Sequence, residues 1–131
     1  MKVIDGKNAI LGRLASYAAK EALNGESITI LNCQDVIITG NKKNIRENFE
    51  KKKRRVGSSQ KGPKHSILVY KIVKRTIRGM LPNYRKGRGK EAWKRIKCYV
   101  GVPKEFENVK KIVSGKEKKG KFIYIKDLGR V

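Results

Sequence analysis

The sequence predicts an α/β domain built on a parallel sheet. A short apolar run, an alanine-rich helix and a β-branched run follow one another at the start, the order that makes a right-handed βαβ unit. The 131 residues suit one domain, long enough to bury roughly two-thirds of the unfolded surface. No internal repeat or composition break divides them, so residues 1–131 are read as a single domain.

The elements follow in order. "KVID" (2–5) is a strand candidate ending in Asp5, with a turn at Gly6 and Asn8. In "LGRLASYAAKEALNG", Leu11, Leu14, Ala15, Ala18, Ala19 and Ala22 fall at helical spacing, and Gly25 stands where a C-terminal cap belongs. So many alanines predict a helix lying close on a sheet. "SITILN" (27–32) and "DVIITG" (35–40) read as buried strands. The link at 33–35 is too short for a helical crossover, so how these two runs pair is open. "NKKNIRENFEKKKRR" (41–55) reads as a helix with Ile45 and Phe49 on its inner side, and "VGSSQKGPKH" (56–65) as a loop.

In the next helix, "ILVYKIVKRTIRGML", Ser66 is the expected cap. Val69, Ile72, Val73, Ile77 and Met80 form the apolar stripe, and Lys71, Lys74, Arg75 and Arg78 lie on another face. Met80 and Leu81 are expected as the last core-facing turn before Pro82 directs the chain outward. "NYRKGRGK" (83–90) is then a basic, glycine-bearing link, "KEAWKRIK" (90–97) a helix and "CYVG" (98–101) a strand. "KEFENVKKIVSG" has early Glu and late Lys, as a helix dipole favours. "GKEKKGK" (115–121) reads as a mobile basic loop, and "KFIYIKDL" (121–128) as a strand or extended tail docked on the body.

Charge decides the function class. There are 34 Lys and Arg against 11 Asp and Glu, a net charge of +23. Residues 1–40 are net zero, residues 41–90 are +16 and residues 91–131 are +7. Like charge at this density opposes compaction unless a polyanion neutralises it. The chain therefore divides into a neutral βαβ start (1–40), a basic region of helices and loops (41–95), and a last strand, helix and basic tail (96–131). Arginine binds phosphate through paired N–H groups and stacks on bases, while lysine adds longer-range attraction. Tyr84 and Trp93 flank the densest stretch. Either is placed to stack on an unpaired base; for Trp93 core packing is the favoured reading, and for Tyr84 the two stand level. No helix-turn-helix, zinc finger or aromatic RNA-binding strand is visible, and the charge spreads over several elements. That suits a large folded RNA better than one duplex groove.

Other chemistry fares worse. Gly6 and Gly12 lack the close Gly-x-Gly spacing of a dinucleotide turn, and there is no Walker sequence. His65 has no carboxylate near it in sequence, and Asp5 is expected to cap its turn. Cys33 and Cys98 are far apart, and with one histidine they fall short of a zinc site, so both are expected as inert, mostly buried thiols. No apolar run approaches the ~20 residues that span a bilayer, and the N-terminus lacks a signal-peptide pattern. The expected compartment is the cytoplasm. An RNA-modifying or nucleotide-dependent enzyme on a Rossmann-like core is the main alternative. A membrane-surface protein ranks last, because the apolar stripes are committed to the core.

Four segments carry a family resemblance: "DGKNAILGRLAS" (5–16), "LNCQDVIITGNK" (31–42), "RTIRGMLP" (75–82) and "IKCYVGVP" (96–103). In order and separation they resemble the signature of the universal large-subunit ribosomal protein numbered thirteen, over essentially the whole chain. The joined "GRGKEAWKRIKCYVG" and the short length are similar to the archaeal branch. The resemblance implies a three-layer α/β/α fold around a four-stranded, mainly parallel sheet in the order 3-2-1-4. The strands at 2–5, 27–32, 35–40 and 97–101 are expected to fill it. It also implies a structural role in the large ribosomal subunit: binding its RNA, lying beside other ribosomal proteins and supporting assembly. No enzyme activity, cofactor, metal or small-molecule substrate is implied. RNA contact is assigned on matching positions to Arg75, Arg78, Arg85, Lys86 and Arg88, with Lys90 and Tyr84 in the same link. Lys51, Lys52, Lys53, Arg54 and Arg55, and Lys61, Lys64 and His65, are added on charge alone.

Overall fold

A computed structural model describes residues 1–55, 65–113, 115 and 120–130. The elements run β1 (Lys2–Asp5), α1 (Leu11–Leu23), β2 (Ile28–Leu31), β3 (Ile37–Thr39), α2 (Lys42–Arg54), α3 (Val69–Met80), α4 (Gly87–Lys94), β4 (Ile96–Cys98), β5 (Ile112–Val113) and β6 (Phe122–Tyr124). Short 3-10 turns lie at Cys33–Asp35, Lys104–Phe106 and Ile125–Asp127.

The main sheet is parallel throughout, in the order β4-β2-β1-β5. Counting only its own strands, this is the order 3-2-1-4. The strands in the third and fourth places are not the expected ones. Residues 96–98 take the third place and residues 112–113 the fourth. The run at 35–40 leaves the sheet and pairs, as β3, antiparallel with β6. The short link explains the departure. Asn32 sits in the left-handed region at φ 54° and the 3-10 turn follows at once, so the chain turns off the end of β2. Asp5 stabilises the same corner: its carboxylate accepts from the Lys7 backbone N–H at 3.0 Å and from the Asn32 side chain at 2.9 Å. Its turn-capping role is thus the one observed.

The pleat sorts the core. Ile4, Ile28 and Ile30 face the helices, where Leu14, Ala15, Ala18 and Ala22 of α1 meet Val69, Val73 and Ile77 of α3 and Ala92 of α4. The alanines let the helices lie close, as their spacing predicts. Val3 and Leu31 point the other way and are covered by Phe106, whose ring lies 5.7 Å from that of Tyr99. That cover comes from the Lys104–Phe106 turn and an irregular run, where the sequence pattern predicts a helix. The early Glu and late Lys there do not make one.

The tail docks as predicted. Ile123 and Ile125 are buried, and Arg130 donates a backbone hydrogen bond to Ile67 at 2.6 Å. By holding Ile67 and Leu68 extended, it delays α3 until Val69. Ser66 therefore does not cap the helix; its hydroxyl accepts from Leu68 N–H at 3.2 Å, two residues ahead of the N-cap position. Met80 is another correction: it is 44% exposed, and Leu81 alone closes the core at that end. No helix among the described residues is long and apolar enough to cross a membrane.

Candidate nucleic-acid interface

Helix α3 carries the site because its two faces are chemically opposite. Val69, Val73 and Ile77 are buried, which turns Lys71, Lys74, Arg75 and Arg78 outward along one stripe. On one side of that stripe a hollow of about 310 Å³ is lined by Lys52 and Phe49 of α2, by His65, and by Lys71, Arg75 and Thr76. On the other side a hollow of about 300 Å³ is lined by Ser66, Lys71, Lys74, Arg75, Arg78 and Trp93. Among the described residues, no carboxylate lines either one. A third hollow, at the sheet face near Phe106, differs: Glu91 and Glu105 offset Lys94, Arg95 and Lys97 there. Together the two hollows beside α3 gather the most cations among the described lining residues, which makes the α3 side the candidate anion-binding surface.

Helix α2 contributes differently. Asn41 caps it, its side chain accepting from Lys43 N–H at 2.9 Å. Ile45 and Phe49 do face inward but are only half-buried, and no residue of α2 is fully buried. The helix projects, and its last turn places Lys51 to Arg55 in solvent, with cations where the helix dipole favours them. Lys52 lines the same hollow as His65. The His65 imidazole is held below its ordinary pKa first by partial burial, then by the positive charge of Arg75, Lys52, Arg55 and Arg78. The ring thus reports that the end of α2 and the stripe of α3 share one field. Lys53 is partly diverted: it pairs with Glu50 at 3.5 Å and lies over the Phe49 ring.

The link after α3 is more ordered than a glycine-bearing loop. Asn83 accepts from Arg85 N–H at 3.1 Å, and α4 begins at Gly87 rather than near Lys90. Gly89 is obligatory in this turn, because a β-carbon there would strike the carbonyl oxygens of Pro82 and Asn83. Tyr84 stands between two arginines. The Arg78 guanidinium lies 4.7 Å from its ring centroid and that of Arg85 5.4 Å, with Arg85 Nε donating to the phenol oxygen at 3.3 Å. That hydrogen bond, then the charges of Arg85, Arg78 and Arg75, draw the phenol below its usual pKa. Lys86, at the N-cap position, and Arg88 and Lys90, on the first turn of α4, are exposed, and that turn has no acidic residue and no side-chain cap.

The structure therefore joins Lys52, His65, Arg75 and Arg78 along one face, and joins Arg78, Tyr84 and Arg85 beside it. Lys51 and Arg54 stay exposed on α2, while Lys61 and Lys64 lie outside the described residues. Lys71 and Lys74, whose spacing with Arg75 and Arg78 is visible in the sequence, line the same hollows and join the candidate set. Trp93 packs against the core, as favoured, and also floors the second hollow, where Lys74 sits 4.8 Å over its ring.

Residues 1–105 match the model of the family described as Ribosomal protein L13. The large ribosomal subunit protein uL13 of Methanocaldococcus jannaschii is 45% identical over 133 aligned residues, covering 99% of this chain and 96% of its own. That of Methanococcoides burtonii is 39% identical over 135, with the same coverage. That of Picrophilus torridus is 49% identical over 108, covering 82% of this chain and 77% of its own. With the parallel sheet, the basic α3 stripe and near full-length matches to archaeal relatives in agreement, the chain belongs to the ribosomal protein L13 family.

Proposed function

We propose that the chain is a structural constituent of the large ribosomal subunit, working in the cytoplasm as part of the ribosome, and that the α3 face is where it holds large-subunit RNA. The observation that carries the RNA-binding face is the pair of hollows flanking Lys71, Lys74, Arg75 and Arg78, which hold no carboxylate among the described residues and have Lys52 of α2 brought alongside. Phosphates from more than one RNA segment fit a surface assembled from two helices and a turn. Arg85, Lys86, Arg88 and Lys90 extend it along the start of α4. The apolar body fixes the spacing of these cations, and binding them cancels RNA self-repulsion, which favours compact RNA and hence subunit assembly. Other ribosomal proteins would lie beside it on the less basic surfaces. A nucleotide-dependent or RNA-modifying enzyme is set aside: the family is one of ribosomal structural constituents.

The test is to tag the chain in its host, lyse gently and follow the tag through a sucrose gradient. Co-sedimentation with the large subunit, kept in moderate salt and lost on RNase treatment, is expected. A tag that stays at the top of the gradient sinks the reading. The face itself is tested by binding to a large-subunit RNA fragment over a salt series. Replacing Lys71, Arg75 and Arg78 together with alanine should weaken binding and flatten the dependence of log affinity on log salt. An unchanged slope removes α3 from the contact surface.

A further inference from the structure

The fold brings the two cysteines to one corner. Cys98 ends β4, and its register partner across the parallel pairing is Ile30 of β2. Beyond it the strands stay joined: Tyr99 N–H donates to Ile30 O at 2.9 Å, and Cys33 N–H donates to Tyr99 O at 3.2 Å. Cys33 therefore stands directly beyond Ile30 on the same corner, and its thiol also reaches the Ile30 carbonyl at 3.7 Å. The Cys98 side chain packs against the core cluster that contains Cys33, so the two thiols share one corner of the core. A cytosolic setting and the wide separation in sequence both argue against a standing bridge. The pairing of β2 with β4 removes the second argument, and both cysteines are free in this structure.

The pair is asymmetric. Cys33 is fully buried and Cys98 only partly. The neighbouring Cys98 thiol, and then burial, push the Cys33 thiol well above its ordinary pKa, so Cys33 keeps its proton. An oxidant from solvent reaches Cys98 first. A metal is a poorer occupant, since no third ligand stands near: no group of three His, Cys, Asp or Glu among the described residues is placed to hold an ion.

We propose that Cys33 and Cys98 form a two-thiol oxidation site that a peroxide converts to an intramolecular disulfide. The Cys98 sulfur attacks the O–O bond, which breaks to give a Cys98 sulfenic acid and one water. The Cys33 sulfur then displaces hydroxide from the Cys98 sulfur. The S–S bond forms, and the hydroxide leaves as a second water with the Cys33 proton. Two thiols lose two electrons and one peroxide gains them. The bridge would close a ring containing β3, α2, α3 and α4, and so would tie together the frame that carries the basic face. It requires nothing of the RNA reading, and it holds or fails separately from it.

The test uses the full-length reduced protein and hydrogen peroxide. After treatment the protein is unfolded, alkylated and weighed by intact mass spectrometry. Loss of two hydrogens, no alkyl label and full reversal by dithiothreitol are expected in a monomer. The Cys98→Ala variant should keep an alkylatable Cys33 under the same treatment. The bridged form should also unfold at a higher temperature than the reduced form, because the bridge limits the unfolded chain. Two alkyl labels after treatment overturn the proposal. So does a product with two or three oxygens on Cys98, which would mean that Cys33 does not resolve the sulfenic acid. Both readings come from the unmutated protein and do not depend on the variant's folding.

Discussion

Arg78 lies over the ring of Tyr84, 4.7 Å from its centroid, so a helix residue and a loop residue hold one another in place. Arg85 grips the phenol oxygen of the same ring. A ring engaged by two guanidiniums can set the spacing of the two arginines, and that is the role expected of Tyr84. Tyr84→Ala should then weaken RNA binding while leaving the salt slope close to wild type, because both cations remain. Arg78→Ala should weaken binding and reduce the slope by about 0.7–0.9 for the single phosphate contact it loses. Filter binding at four salt concentrations separates the two. A slope that falls equally in both variants would show that Tyr84 does more than position.

His65 gives a pH signature. In the free protein its pKa is lowered, by partial burial and then by Arg75, Lys52, Arg55 and Arg78. The folded state thus binds the proton less readily than the unfolded chain does. Its contribution to stability is present above the unfolded pKa of about 6.5 and is lost as pH falls through the lower folded value. RNA phosphate would neutralise those cations and raise the imidazole pKa again. Binding should therefore take up a proton and tighten as pH falls from about 7 toward 6. The measurement is the His65 ring-proton shift titrated by NMR, free and RNA-bound. A bound pKa at or below the free one would place the phosphates elsewhere.

Gly89→Ala probes the turn that aims Arg85 to Lys90. The added methyl meets the backbone of Pro82 and Asn83, which has no flexible side chain to move aside. A destabilisation of about 1–3 kcal/mol is expected from such overpacking, with RNA affinity reduced further because Arg85 and Arg88 are re-aimed. Denaturant unfolding and RNA binding read the two effects. Wild-type stability in the variant would show that α4 is not tied to the end of α3 in this way.

Ile77→Ala is the complementary case. Ile77 is fully buried on the inner face of α3, so its truncation should cost about 2–5 kcal/mol of stability. At a temperature where the variant stays folded, the salt slope of RNA binding should not change. A changed slope would mean that the stripe of α3 cannot be separated from its core face.

The first third of the chain was legible because its signals are local. Alternating and helical periodicity, a cap glycine and a capped turn fix β1, α1 and β2 without reference to distant residues. Strand identity beyond that point was not, because it rests on partners far along the chain. β3 reads as a sheet strand until its partner, β6, is known, and Ile112–Val113 carries too little pattern to announce itself. Around Phe106 the acidic-to-basic order matched a helix, but one aromatic side chain covering Val3 and Leu31 did not require one. The basic stripe of α3 was visible in its spacing. That the end of α2 would lie beside it, and that His65 would sit in their joint field, depended on tertiary placement alone.

The pairing of β3 with β6 also sets an order in time. Ile37–Thr39 is made early, and its antiparallel partner Phe122–Tyr124 is made after every helix. While the chain is still being synthesised, β1, α1 and β2 have each other, but β3 must wait with an open edge. The Gly129–Arg130 segment then sets the start of α3 by holding Ile67. The basic face is therefore finished last, and a growing chain can present its charge to RNA before its body has closed.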